Sequence, residues 1–346
     1  MSLTSQPASQ LTMLYPDSRS EQLDLEAKVF GTDTTLLNPR KKSFEEVDLS
    51  AWQSCDGIVV ARIQMNSSVV PHLKKCRIIV RNGVGYDNCD LQLCGEAGIA
   101  VCNVPDYGTT EVADTAIAMM LAFARGTAIY DAALRENPTA NWTHTHNVTA
   151  RRLRGATYGV IGMGRIGTAS ALRARAFGMN VVFYDPQLSI GSELSFGFSR
   201  ASKLEDLLKI ADVISIHAPL TTETQSMINA DAVSKMKPGV YMISTARGPI
   251  CDTAALLEGL KSNRILAVGL DVLPSEPATL ADPLVAAWRE NAPWIKGRVL
   301  LGPHSGFYSP DGLTDLRTKA AQTACLYLKE NKLINCVNAE FLKKPR

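Results

Sequence analysis

The chain has 346 residues, of which 46% are apolar and 20% charged, with a formal net charge of +2 at pH 7. That length suits about two domains, and the composition is that of a globular protein rather than a disordered or fibrous one. So small a net charge sets up no field for nucleic acid, and no apolar run is long enough to span a bilayer.

The amino-terminal stretch MSLTSQPASQ shows no basic region followed by an apolar core, so no secretory signal is expected. The eight cysteines are scattered and form no Cys-x-x-Cys pair. They read as reduced, mostly buried thiols of a cytoplasmic or nuclear protein. Short apolar runs at residues 11–15, 57–60, 77–80 and 98–102 alternate with helical stretches such as 69–75, which predicts a small parallel sheet with covering helices. A long helix is expected from residue 109 to about 135. Its first part is apolar on most faces, so it wants burial on more than one side, between domains or against a second subunit. His144 and His146 lack a further ligand nearby and read as loop residues, and no metal site is expected. The sequons at Asn141 and Asn147 read as inert.

The most informative stretch follows. Residues 157–161 read as a strand, 165–177 as a helix and 180–184 as a second strand. Between the first two lies Gly162-Met163-Gly164-Arg165-Ile166-Gly167, a Gly-x-Gly-x-x-Gly motif. Asp185 comes 18 residues after Gly167, near the ~20 of a dinucleotide-binding βαβ unit. Gly162 permits a tight turn, Gly164 lets the backbone approach a pyrophosphate, and Gly167 brings helix and sheet together. The helix start offers free N–H groups to phosphates. Asp185 can accept hydrogen bonds from a ribose diol and would repel a 2′-phosphate, so NAD is expected over NADP.

Further strands are expected at residues 213–216, 240–243, 268–271 and 299–301, with helices between them such as 252–261. Parallel sheets bind ligands at the carboxyl ends of their strands. His217, Thr245, Ala246, Arg247, Asp271 and His304 occupy such ends. An arginine, a carboxylate and a histidine beside a nicotinamide suit reduction of a 2-oxoacid. Arg247 can hold a carboxylate and a carbonyl oxygen through two N–H donors. His304 can deliver a proton near neutral pH. Glu276, bonded to the imidazole, would fix its tautomer and favour its charged form. The stretch 277–303, with Trp288 and Trp294, reads as a packed loop. Residues 312–331 read as a long helix, and the tail INCVNAEF as returning to the first domain. The Arg40-Lys41-Lys42 and Lys343-Lys344-Pro345-Arg346 clusters read as solvated surface.

Asn82-Gly83-Val84-Gly85-Tyr86-Asp87-Asn88, the glycine motif, His217-Ala218-Pro219-Leu220-Thr221, Ala246-Arg247-Gly248, Leu270-Asp271-Val272, Glu276-Pro277 and Pro303-His304 share order and spacing with one family. Over nearly its whole length the chain resembles the D-isomer-specific 2-hydroxyacid dehydrogenases. Within them it looks most like the C-terminal-binding-protein branch of NAD-dependent corepressors, through residues 77–81, 97–105, 174–186 and 335–341. That branch has a tryptophan three positions beyond the histidine, where this chain has Phe307.

The resemblance implies an α/β fold of two Rossmann-like, doubly wound parallel-sheet domains. One is a flavodoxin-like substrate domain of residues 1–108 and 311–346; the other is an NAD-binding domain of residues 109–310. It implies Arg247, Glu276 and His304 as the catalytic triad, in a cleft between the domains. Arg81 and the amides of Val84 and Gly85 would meet the substrate carboxylate. Gly162, Gly164, Arg165, Ile166, Gly167, Asp185, His217, Ala218, Pro219, Thr245, Ala246, Asp271 and Gly306 would line NAD. The implied activity is NADH-dependent reduction of a 2-oxoacid to a D-2-hydroxyacid by a cytoplasmic homodimer. The implied alternative is a nuclear, NAD-sensing scaffold that binds a peptide partner.

Overall fold

The computed structural model describes residues 10–342 and 344–346. The readings of the amino-terminal segment up to residue 9 and of Lys343 lie outside the described residues. The chain divides into two compact units, Met1–Gly108 with Ser309–Arg346, and Thr109–Tyr308.

The first unit holds β1 (Leu11–Leu14), β2 (Thr34–Leu37), β3 (Gly57–Val60), β4 (Ile78–Arg81) and β5 (Ala100–Cys102). All neighbours are parallel, in the order β2-β1-β3-β4-β5. This is the flavodoxin-type order. Ile58, Val60, Ile78, Ile79 and Val80 have no exposed surface. Burial on both faces explains why these strands read as unbroken apolar runs rather than alternating ones. The helix Pro310–Glu330 packs on this sheet and against the helix Asp24–Phe30. Arg317 ties the two helices together, its Nη2 lying 2.8 Å from Asp24 and 2.7 Å from the buried Glu26. The tail runs beside β5, with Val337 N–H donating to the Val101 carbonyl at 2.8 Å.

One sequence expectation fails here. Residues 69–75 form only the 3₁₀ turn Val70–His72, closed by Leu73 N–H donating to the Val70 carbonyl at 3.1 Å. Lys344, Pro345 and Arg346 are exposed, as expected, while the Arg346 guanidinium donates to the Leu73 carbonyl and its N–H to the Gly98 carbonyl.

The second unit holds β6 (Thr157–Ile161), β7 (Asn180–Tyr184), β8 (Ser199–Arg200), β9 (Val213–Ile216), β10 (Val240–Ser244), β11 (Ile265–Leu270) and β12 (Val299–Leu301). Its parallel order is β12-β11-β10-β9-β6-β7-β8. That is the doubly wound dinucleotide-binding order with one strand added at an edge. The fold is therefore two parallel-sheet α/β units.

The expected helix 109–135 is broken into Thr109–Arg125 and Thr127–Glu136 by Gly126, whose φ is +62°. A Cβ there would lie 2.7 Å from the Asn147 Cβ. Asn147 and Thr149 donate to the Phe123 carbonyl at 3.0 and 2.8 Å and so satisfy the helix end. Thr109–Arg125 is buried through Ala113, Ala116, Met120, Phe123 and Ala124. Among the described residues no single helix is long and apolar enough to cross a membrane. The stretch 277–303 contains the helix Pro283–Glu290, seated through Leu284 and Val285, and its Trp288 and Trp294 stay exposed. The buried Arg298 closes this stretch by donating to the carbonyls of Leu260, Ile265, Leu266 and Trp294.

Candidate functional site

In the second unit the strand order reverses between β6 and β9, the place where doubly wound sheets bind ligands. The glycine motif leaves β6 at this point. Gly162 has φ +87°, and a Cβ there would lie 2.7 Å from the Ala218 amide nitrogen. A Cβ on Gly167 would lie 2.1 Å from the Gly162 carbonyl oxygen. Both positions thus require glycine for packing. Gly164 differs: a Cβ there would meet nothing within 4 Å. It is the exposed N-cap of the helix Arg165–Ala176, and no side chain caps that helix start. An open space in front of uncapped N–H groups fits a pyrophosphate. Arg165 is exposed and Ile166 half-buried at the same end. Asp185, just past β7, accepts from Met163 N–H at 2.9 Å and from Gln187 N–H at 2.9 Å. It therefore braces the glycine loop while keeping acceptor capacity, since a carboxylate has about four lone-pair sites.

His217 follows β9. Its Nε2 shares a 2.9 Å hydrogen bond with Ser215 Oγ, and its Nδ1 faces Thr245 Oγ1 at 3.4 Å. Burial pushes its imidazole down to about 4, so the ring is neutral at pH 7. Ala218 packs against Gly162, and the Pro219 carbonyl accepts from Thr224 Oγ1 at 2.7 Å. Thr245, Ala246 and Arg247 follow β10. Arg247 Nη1 donates to the Ala246 carbonyl at 2.9 Å. A Cβ on Gly248 would lie 1.9 Å from the Leu273 carbonyl carbon, so the arginine's loop is pressed against the segment leading to Glu276.

Asp271, at the end of β11, is 3% exposed. Its carboxylate accepts from Ser305 N–H at 3.0 Å and Gly306 N–H at 2.8 Å, and its carbonyl accepts from His304 N–H at 2.8 Å. A Cβ on Gly302 or Gly306 would stand 2.3 or 2.7 Å from that carboxylate. These bonds hold His304 at φ +55°, a left-handed backbone uncommon outside glycine. Burial raises the Asp271 carboxyl, the accepted N–H bonds opposing it. So placed, His304 Nδ1 lies 2.8 Å from Glu276 Oε2. The bond fixes which ring nitrogen is left for another partner. Phe307 meets the imidazole edge-on, with ring centroids 6.4 Å apart. Thr115 Oγ1 donates to the Gly306 carbonyl at 3.2 Å.

In the first unit, Arg81 ends β4, and Gly83-Val84-Gly85 follow it. A Cβ on Gly83 would lie 1.5 Å from Arg81 Nη1, so only glycine lets the guanidinium lie across its own loop. Asn103 Nδ2 donates to the Val84 carbonyl at 2.6 Å, and Val104 N–H to the Gly83 carbonyl at 3.0 Å. Val84 and Gly85 are half-buried.

Residues 117–306 match the model of the D-isomer-specific 2-hydroxyacid dehydrogenase NAD-binding domain. A D-3-phosphoglycerate dehydrogenase of Mycobacterium bovis is 34% identical over 84% of this chain and 52% of its own length. The chain belongs to the D-isomer-specific 2-hydroxyacid dehydrogenase family. It spans about half the length of the curated relatives it matches. A D-lactate dehydrogenase from Aquifex aeolicus, solved with NAD and lactic acid, is 28% identical, with a TM-score of 0.80 over 92% of this chain and 96% of the other. A glyoxylate reductase from Paecilomyes thermophila is 26% identical, with a TM-score of 0.81 over 95% of this chain and 99% of the other.

Within this chain, sequence reasoning missed several residues that position the candidates. Asn103 and Thr115 are polar residues in apolar runs, which is a signal for a buried bond. Gly302 carried no signal of its own, because its need for glycine comes from a carboxylate about 30 residues away in sequence. Asp271 was expected only to line a cofactor; its carboxylate also organises the histidine turn.

Proposed function

We propose that the chain is an NADH-dependent reductase that converts a 2-oxoacid to a D-2-hydroxyacid. The observation that carries this reading is the His304–Glu276 pair at 2.8 Å, on a turn fixed by a buried aspartate and in the same unit as the open glycine loop. The residues that would hold the cofactor are the helix start at Gly164, Arg165 and Ile166, with Asp185 on the adenosine ribose and Ala218, Pro219, Thr245 and Ala246 along the strand ends. The Asp185 carboxylate disfavours a 2′-phosphate, so NAD is preferred to NADP. Bound there, a reduced nicotinamide supplies a hydride to the substrate carbonyl carbon.

The chain's own residues do the rest. Arg247 donates to the carbonyl oxygen and polarises it. His304 holds a proton on its other ring nitrogen, Nε2, and gives it to that oxygen. Glu276 holds the ring in the tautomer and orientation this needs. Arg81, with the amides of Val84 and Gly85, takes the substrate carboxylate. A homodimer is proposed through the helix Thr127–Glu136, which buries none of its residues within its own chain.

The relatives act on different 2-hydroxyacids or 2-oxoacids, so the test is a panel. NADH oxidation is followed with glyoxylate, pyruvate, hydroxypyruvate, phenylpyruvate and 4-methylthio-2-oxobutyrate, and the product's configuration is read by chiral chromatography. Turnover above about 1 s⁻¹ on one member, giving the D-product, is expected. NADH binding with only trace turnover across the panel would favour the peptide-binding scaffold instead.

A further inference from the structure

Cys102 ends β5, and Cys336 lies in the tail segment that runs antiparallel beside it. Two backbone bonds flank them: Val337 N–H to the Val101 carbonyl at 2.8 Å, and Asn103 N–H to the Asn335 carbonyl at 3.2 Å. The cysteines therefore oppose each other at a non-hydrogen-bonded position, where Cα atoms come within about 4.5 Å. A disulfide spans Cα separations of about 4.4–6.8 Å, so these two sulfurs can join without moving the backbone.

The thiols are unlike. Cys102 has no exposed surface, whereas Cys336 is partly exposed. The hydrogen bond from Cys102 lowers the Cys336 thiol to about 6, and the same contact together with burial raises Cys102. Burial pushes Cys89, Cys94 and Cys251 up to about 12. An accessible thiolate beside a buried partner is the arrangement of an attacking and a resolving thiol.

We propose that Cys102 and Cys336 form a reversible disulfide, closed by a small-molecule disulfide such as oxidised glutathione, that fastens the tail to β5 and regulates the 83–85 loop. The link to that loop is short. Asn103, next to Cys102, donates to the Val84 carbonyl at 2.6 Å, and Val104 N–H donates to Gly83 at 3.0 Å. This regulatory half rests on the proposal that Arg81, Val84 and Gly85 bind the substrate carboxylate.

The step balances. The Cys336 thiolate attacks one sulfur of glutathione disulfide, whose S–S bond breaks. One glutathione leaves as a thiolate and takes a proton, and a mixed disulfide remains on Cys336. The Cys102 sulfur gives up its proton and attacks Cys336, and the second glutathione departs. Counted from the two thiols, the protein loses two electrons and two protons, one of them already released to solvent by Cys336, and the glutathione disulfide gains both to give two thiols.

The test uses the full chain equilibrated in mixtures of reduced and oxidised glutathione, alkylated with iodoacetamide, digested and weighed. A linked Cys102–Cys336 peptide is expected in the oxidised samples, absent after dithiothreitol and absent in Cys336→Ser. In parallel, KM for the 2-oxoacid should shift by about threefold or more on oxidation while kcat stays within about twofold. A persistent glutathione adduct on Cys336 with Cys102 alkylated would overturn the pair. A linked peptide with unchanged KM would overturn the regulation. If the reduced protein turns over no 2-oxoacid, the functional reading fails and the regulation falls with it; the linked peptide, read by mass alone, still decides the disulfide.

Discussion

The two sheets reverse their strand order at equivalent places, yet they furnish those places in opposite ways. In the second unit the loop after β6 leaves a helix start uncapped and open space at Gly164. In the first unit the loop after β1 carries Asp17. Its carboxylate accepts from the N–H groups of Ala61, Arg62 and Ile63 after β3, at 2.9, 2.5 and 2.8 Å. The donors that could meet a ligand there are already satisfied by the chain itself. The first unit instead places its candidate residues at the end of β4. Two parallel α/β sheets thus leave the helix start open in one unit and close the equivalent place in the other with an internal carboxylate, so the fold alone does not set the ligand.

Perturbing single groups can break or sharpen this contrast. Arg247→Ala should lower turnover by ~10²–10³-fold if it polarises the carbonyl, and Arg247→Lys should restore little because a point charge cannot make paired bonds. Full activity in the lysine variant would remove that role. Gly164→Ala should weaken NADH binding by about tenfold or more, with unfolding free energy changed by less than about 0.5 kcal/mol, because the new methyl meets only ligand. Gly167→Ala should instead destabilise by about 1–3 kcal/mol, since its Cβ meets the Gly162 carbonyl. Calorimetry and denaturant melts separate the two; equal effects would contradict the contrast drawn from their surroundings.

Asp17→Ala should cost about 1–3 kcal/mol by orphaning backbone donors, with NADH affinity unchanged. A change in NADH affinity would mean that the first unit's loop is not merely structural. The smallest effect is a pH dependence at His217. Unfolded, a histidine titrates near 6.5, and folded His217 near 4. Between those values the unfolded chain binds more protons, so stability falls as pH drops from about 6.5 toward about 4. His217→Asn should remove about 1–2 kcal/mol of that loss between about pH 6.5 and 4, after discounting for the ring's partial exposure. An unchanged slope in thermal melts would mean that the ring is not held neutral.

Much of this was legible in the sequence, for reasons that are local. The bounds of β6, β7, β9 and β12 were legible because residues that end such runs lie beside them: Gly162 after β6, Asp185-Pro186 after β7, Asp212 before β9 and Gly302-Pro303 after β12. The glycine loop was legible because its three glycines fall at fixed spacing between a strand and a helix, even though a Cβ on Gly162 would meet the distant Ala218. What was missed depends on distant partners. The break at Gly126 is completed by Asn147 and Thr149, and no periodicity reveals that. β2 is short and half-buried, and β8 has only two residues, so neither carries a pattern. At the candidate site the residue types and their order could be read, whereas the left-handed backbone of His304 could not. It exists because Asp271, a long way back in the chain, receives the turn's N–H groups.

The most direct test replaces His304 with alanine and measures NADH oxidation at saturating NADH, using whichever 2-oxoacid the wild type turns over best. NADH affinity is read alongside by fluorescence. The account predicts turnover lower by ~10²–10⁴-fold, with NADH affinity within about threefold, because the glycine loop does not involve that side chain. Wild-type turnover in the variant would contradict the assignment of His304 as the proton donor, and with it the reading of this site.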